Sequence, residues 1–201
     1  MDMLLNIILY IGIGYIAIWI TLFFHEFSHA FLGWLFGVCK SPLSIGYLPV
    51  VKLLMTPLIN EDKIKKINNY KQVLIHSGGL LMNLLMSLLL GLLIIGNPFT
   101  FNSYIRGFIL LFIVSNFAEL ESYITFGAIK PISDVKFILQ VSQKKNYMIY
   151  IPGLILLILG VYVLNTYILQ ENEFGYLIFG AAFYIVACSS RIILTRPNSK
   201  I

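Results

Sequence analysis

The chain alternates between long apolar stretches and short polar connections. Each apolar stretch contains about the 20 residues that a helix needs to cross the hydrocarbon core of a bilayer. These stretches lie at roughly 3–36, 70–96, 104–126, 147–169 and 174–194. The pattern predicts an all-α polytopic membrane protein with about five transmembrane helices.

One connection, at about 37–71, is much longer than the others. Its first half, 38–58, carries three prolines separated by β-favouring residues, so it cannot continue the first helix. We expect a short β-hairpin or re-entrant segment there, followed by a lysine-rich loop. No other connection has room for a soluble domain, and residues 1–201 are expected to form a single membrane-embedded domain.

The composition agrees with this prediction, and the distribution of basic residues predicts how the chain is oriented in the membrane. Hydrophobic residues make up 59% of the chain and charged residues 11%, whereas about a quarter of a soluble protein is charged. Basic loops are retained on the cytoplasmic side, and with five spans only Arg106 of the 14 Lys and Arg falls on the opposite side. We therefore expect the N-terminus outside and the C-terminus in the cytoplasm. The same asymmetry accounts for the net charge of +5, so nucleic acid is not expected as a partner.

A metal-binding pattern lies within the first span. The segment His25-Glu26-Phe27-Ser28-His29 is an H-E-x-x-H motif in a strongly helical run. The spacing puts both imidazoles on one helix face, where they can bind one Zn²⁺, and Glu26 lies beside them to polarise water. Ionisable groups inside a span are costly and are expected to be functional. The alternative is a polar cluster that joins helices, but such contacts normally use Ser, Thr, Asn or Gln.

A catalytic zinc site normally has three protein ligands, so a third is expected. Asp134 follows the third span on the cytoplasmic side, and Pro131 can break the helix and return irregular backbone to the site. Glu119 and Glu121 remain alternatives for this ligand. His76, near the start of the second span, is expected to be an interfacial anchor rather than a ligand.

Three motifs together resemble the site-2 protease family of intramembrane zinc metalloproteases, in a small form without a PDZ or CBS module. The first is the H-E-x-x-H motif, and the second is Gly-Gly-Leu-Leu-Met-Asn at 78–83. The third is the set Asn116, Pro131 and Asp134, in which Val135 follows the aspartate where the family has glycine. The resemblance covers a catalytic core of about 10–140 and leaves two additional helices at about 147–194.

The resemblance implies roles for particular residues. One Zn²⁺ per chain would be bound by His25, His29 and Asp134, with Glu26 as the catalytic residue. Asn83, Gly78 and Gly79 would bind the substrate. An asparagine amide can donate to the charge that develops on a carbonyl, but a single asparagine also commonly bridges membrane helices. The two glycines equally fit close approach of an extended peptide or close helix packing.

The function expected from these features is that of a zinc metalloendopeptidase in the bilayer of a bacterial cell membrane. Its substrate would be a membrane-associated protein or peptide precursor, cut near the cytoplasmic face. One alternative is a non-proteolytic protein of the same fold that binds a peptide or partner. Another is a di-iron enzyme acting on lipid, but three histidines are few for two irons. The sequence does not decide between peptide maturation and release of a regulatory factor, and it indicates no oligomeric state.

Overall fold

The computed structural model describes residues 2–47, 55–96, 101–129, 133–170 and 173–194. These residues form a helical bundle with one small sheet. The elements in chain order are α1 (Asp2–Leu35), β1 (Ile45–Tyr47), β2 (Met55–Pro57), α2 (Glu61–Ile64), α3 (Asn69–Ile95), α4 (Ser103–Glu121), a π-helical turn (Ser122–Phe126), α5 (Gly127–Ile129), α6 (Ser133–Ser142), α7 (Tyr147–Val163), a second π-helical turn (Leu164–Ile168) and α8 (Gly175–Leu194).

Four segments of the described chain are helical, long and apolar enough to cross a membrane. They are Ile8–Leu35, Asn69–Ile95, Ser103–Ile129 and Tyr147–Ile168. The fifth predicted span forms α8, in which Gly175–Ser190 is a shorter apolar helical segment. The prediction of an all-α polytopic membrane protein is confirmed.

Helix α4 lies at the centre of the bundle. In the most apolar part of the span that it begins, Ser103–Ile129, 83% of the residues are buried. The corresponding share in the other three spans is 11–28%. It packs against α1, α3 and α8, and the π-helical turn after it packs against α7. The surrounding helices present large apolar side chains outward, among them Ile11, Leu92 and Ile158. An outward apolar surface on a helical bundle fits contact with lipid.

The segment after the first span forms the predicted hairpin. Strands β1 and β2 pair antiparallel, with Gly46 opposite Thr56, and both strands contact α1. Ile45 is buried against Ala30 on α1. The residues that connect the two strands, 48–54, lie outside the described part of the chain.

Helix α6 is held against α3 and against the π-helical turn. Its anchor is Val135, which is fully buried in a cluster with Leu80 on α3 and Tyr123 in the turn. A valine therefore stands at this buried position where the resembled motif has glycine. Pro131, expected to break the helix here, lies outside the described residues, but α5 ends at Ile129 and α6 begins at Ser133 on either side of it.

Candidate metal centre

Three side chains from two helices meet in the interior of the bundle. His25 and His29 lie one turn apart on α1 and are 1% and 2% exposed. Their Nε2 atoms are 3.2 Å apart. Asp134, in the first turn of α6, brings its Oδ2 atom to 3.3 Å from each of these nitrogens. The three potential ligand atoms form a nearly equilateral triangle.

The dimensions of this triangle fit a tetrahedral metal ion. Ligand atoms at the usual zinc distances of about 2.0–2.2 Å lie about 3.3 Å from one another in a tetrahedron. Two imidazoles and one carboxylate are also a ligand set found in catalytic zinc sites, which leave the fourth position open. Within the described residues, His25, His29 and Asp134 form a group of ligands that could hold a metal ion.

Contacts behind the two imidazoles leave their Nε2 atoms available as ligands. The Nδ1 atom of His29 donates a hydrogen bond to the backbone carbonyl of Ile75 at 2.6 Å, so its Nε2 carries the lone pair in the neutral ring. The amide of Asn83 lies 3.0 Å from Nδ1 of His25. A half-turn of that amide puts Oδ1 of Asn83 where the Nδ1–H of His25 can donate to it. In the orientation before that half-turn, Oδ1 of Asn83 is buried and has no hydrogen-bond partner among the described residues. The half-turn gives this oxygen a donor.

The two glycines of α3 allow α1 to approach closely. A Cβ atom at Gly79 would overlap the ring of His25, and one at Gly78 would lie 2.9 Å from the side chain of Leu32 and 3.2 Å from the backbone oxygen of Ser28. Both glycines are buried, as is Asn83. The structure thus brings these three residues to His25 and its helix. Their role in substrate binding stays a prediction.

The ring of Tyr123 also packs on His25. Its ring stacks on that of His25, with centroids 5.1 Å apart and an interplanar angle of 11°. Sequence reasoning missed this residue, because its orientation depends on the π-helical turn, for which the apolar pattern carries no signal. The backbone carbonyl of Ile75 was missed for a different reason, because every residue has a carbonyl and no residue type marks this one.

Glu26 lies beside the triangle. Its side chain is partly exposed and lies close enough to interact electrostatically with both histidines, with Asp134 and with Glu119. A carboxylate next to three ligand atoms, but outside their triangle, can accept and deliver protons.

The other candidates for the third ligand lie elsewhere. Glu121 is fully buried and lines a separate cavity. Glu119 is buried and lies in the surroundings of Glu26. His76 stacks on Phe137 of α6, with centroids 4.6 Å apart, and is outside the triangle. Asp134 is therefore the acidic residue that the structure brings to the two histidines.

Asn116, the first residue of the third motif, holds α4 against α1. Its Nδ2 donates hydrogen bonds to Oγ1 of Thr21 at 3.1 Å and to the backbone oxygen of Phe112 at 2.8 Å. All three residues are buried. The contact fixes the position of the helix that carries the two histidines.

The electrostatics of Asp134 favour a charged carboxylate. Burial raises its pKa, but the neighbouring His29 and His25 lower it by more, so the pKa lies well below its ordinary value. Its side chain is 14% exposed.

Fold and site together define a helical membrane protein with a buried group of two histidines and one carboxylate. Comparison of the chain with protein-family models, with curated proteins and with solved structures finds no match.

Proposed function

We propose that the chain is an intramembrane zinc metalloendopeptidase of the site-2 protease type. It would hydrolyse peptide bonds of a membrane-associated protein or peptide precursor near the cytoplasmic face. The observation that carries the proposal is the triangle of His25 Nε2, His29 Nε2 and Asp134 Oδ2, with Glu26 beside it. This combination supplies three ligands and a proton acceptor.

The residues of the site divide the chemistry among them. A zinc ion held by His25, His29 and Asp134 would supply a Lewis acid and make water more acidic in the site. Glu26 accepts the proton of the water that attacks the scissile carbonyl. It then delivers that proton to the departing amine as the carbon–nitrogen bond breaks. Asn83 orients the ring of His25 from behind.

A substrate segment must be extended before it can be cut, because a helix hides its peptide bonds. The β1–β2 hairpin packs against α1, the helix that carries the two histidines. A free strand edge can bind an extended peptide by adding it as a further strand. In this proposal the hairpin holds the unwound segment beside α1.

The orientation proposed for the membrane has the N-terminus outside and the C-terminus in the cytoplasm of a bacterial cell. It is supported by the lysines of the connections on one side. On the opposite side, Arg106 is paired with Glu173 at 2.7 Å. The one basic residue that runs against the asymmetry is therefore neutralised by a neighbour.

Replacing the proton acceptor tests the proposal. Glu26→Gln should retain zinc and lose cleavage of quenched fluorescent transmembrane peptides in reconstituted vesicles. The matched control is Asp62→Asn, an equivalent change at an exposed residue of the short helix α2, which should cleave like the unaltered chain. Cleavage by Glu26→Gln at the rate of the control would refute the assignment. Two irons per chain in place of one zinc would favour the lipid-modifying alternative.

A further inference from the structure

A cavity lies on the face of α4 that points away from the histidines. Its volume is about 430 Å³, and it is bounded by α4, α7 and α8. On α4 it is lined by Val114, Phe117, Ala118 and Glu121. Helical spacing puts these four positions on one face, whereas Asn116, which contacts α1, lies on the opposite face. The cavity is therefore separate from the candidate metal centre.

Glu121 is the unusual member of this lining. Its side chain is 0% exposed, and both of its carboxyl oxygens lack a hydrogen-bond partner among the described residues. The other polar group in the wall, the hydroxyl of Tyr184, is hydrogen-bonded to Thr125 at 2.9 Å. Among the described residues that line the cavity, none is Lys, Arg or His. An unpaired carboxyl at such a position is costly. The described residues that line the cavity supply no cation, so a ligand that brings one would relieve this cost.

The size and opening of the cavity fit a small ligand that arrives from the bilayer. A volume of about 430 Å³ lies in the range of pockets that hold small molecules. Its edge includes Phe174, Ile178 and Val161, which are 60%, 61% and 43% exposed. These apolar residues lie on the outer surface of the bundle, where lipid is expected. A molecule dissolved in the bilayer can therefore enter from the side.

We propose that this cavity binds a single-chain amphiphile that carries a primary ammonium group. The ammonium lies against the carboxylate of Glu121, and the apolar chain lies between α7 and α8. An ammonium supplies up to three donors to the two oxygens and neutralises the charge, whereas a hydroxyl supplies one donor and no charge.

Depth favours a single-chain molecule over the head group of a bilayer lipid. Glu121 precedes the end of its span, at Ile129, by eight residues. At 1.5 Å per residue this is about 12 Å along the helix from the membrane surface. The ethanolamine head of a bilayer lipid stays at that surface, whereas a single-chain amine can lie wholly within the cavity.

Photo-cross-linking tests the proposal on the purified full-length chain in phosphatidylcholine nanodiscs. The probe is dodecylamine with a diazirine in its chain, and its twin is the corresponding dodecanol. Dodecylamine should label the cavity lining on α4, α7 and α8. Unlabelled dodecylamine should compete at a concentration at least about tenfold lower than unlabelled dodecanol, because a buried charge pair is lost with the alcohol.

Variants test the two parts of the proposed site separately. Glu121→Gln should weaken the competition by dodecylamine about tenfold and leave that by dodecanol unchanged. Ala181→Phe, which fills the cavity, should abolish labelling of the lining by both probes. Ile158→Phe, a similar change on the outward face of α7, should not alter labelling.

Several outcomes would overturn the proposal. Equal competition by dodecylamine and dodecanol on the unaltered chain would remove the role of the ammonium, and this comparison depends on no variant. Labelling spread evenly over the outer helix surfaces would indicate partition into the bilayer alone. Competition by phosphatidylethanolamine as strong as that by dodecylamine would refute the single-chain assignment. Each readout is independent of zinc and of proteolysis.

Discussion

Gly79→Ala should weaken zinc binding without touching any ligand. The added Cβ atom would overlap three atoms of the His25 ring, Cε1, Nε2 and Cδ2. Carbon atoms in contact lie about 3.5–4.0 Å apart, so the ring has to retreat by about 1 Å. Metal–ligand distances tolerate deviations of only about 0.2 Å. The displaced ring can no longer complete the triangle with His29 and Asp134.

The overlap is expected to lower both the stability of the fold and the affinity for zinc. Overpacking of a close helix contact costs about 1–3 kcal/mol of stability. Displacement of an oriented ligand lowers metal affinity about 10–100-fold, as observed when the groups that orient metal ligands are removed. The assay is competition for zinc with a chromophoric chelator, together with thermal unfolding of the metal-free chain.

The matched control is Gly12→Ala on α1. A Cβ atom at Gly12 would have no neighbour within 4 Å, so zinc affinity should stay that of the unaltered chain. If Gly79→Ala bound zinc as tightly as Gly12→Ala, the close packing of α3 on the ring of His25 would be refuted.

Two further predictions concern the partner of His25 and an ion pair at the other end of the bundle. Asn83→Ala should lower zinc affinity about 10–100-fold in the chelator assay, because His25 loses the group that orients its Nδ1 atom, whereas Asn83→Asp, which keeps an acceptor, should retain most of it. Burial raises the pKa of the Glu173 carboxyl, but hydrogen bonds from Arg106 lower it by more, so the folded pKa lies below the ordinary value. The pair therefore stabilises the fold at neutral pH, and this contribution is lost as pH falls through the folded pKa. The difference in melting temperature between the unaltered chain and Glu173→Gln should become smaller as the pH is lowered from about 7 to about 3. A difference that stays constant would contradict a stabilising ion pair between Arg106 and Glu173.

The helices and the histidine pair could be predicted from the sequence because both depend on local geometry. A span is recognised by its length and apolarity, and two side chains four residues apart share a helix face wherever the helix forms. The hairpin could be predicted for a similar reason, since three prolines in 38–58 exclude a continuous helix. The fifth stretch, 174–194, was predicted on the same ground, and it forms α8.

The approach of Asp134 to the histidines depends on tertiary packing. It requires the π-helical turn after α4 and the burial of Val135 against α3, and neither leaves a pattern in the hydrophobic periodicity. From the sequence, Asp134 was favoured over Glu119 and Glu121 by its position after the third span, close to Pro131, and by the resemblance to a known motif. The contact of Gly79 with His25 was equally hidden, because it depends on the distance between two helices that are remote in sequence.

The most direct test of the metal centre is X-ray absorption at the zinc edge, combined with the zinc content of the purified chain. We predict one zinc per chain, with two imidazole nitrogens and one carboxylate oxygen at about 2.0–2.2 Å. Asp134→Ala should lose the carboxylate contribution and most of the bound zinc. A chain that stays free of metal in excess zinc, or a zinc environment that Asp134→Ala leaves unchanged, would contradict the account.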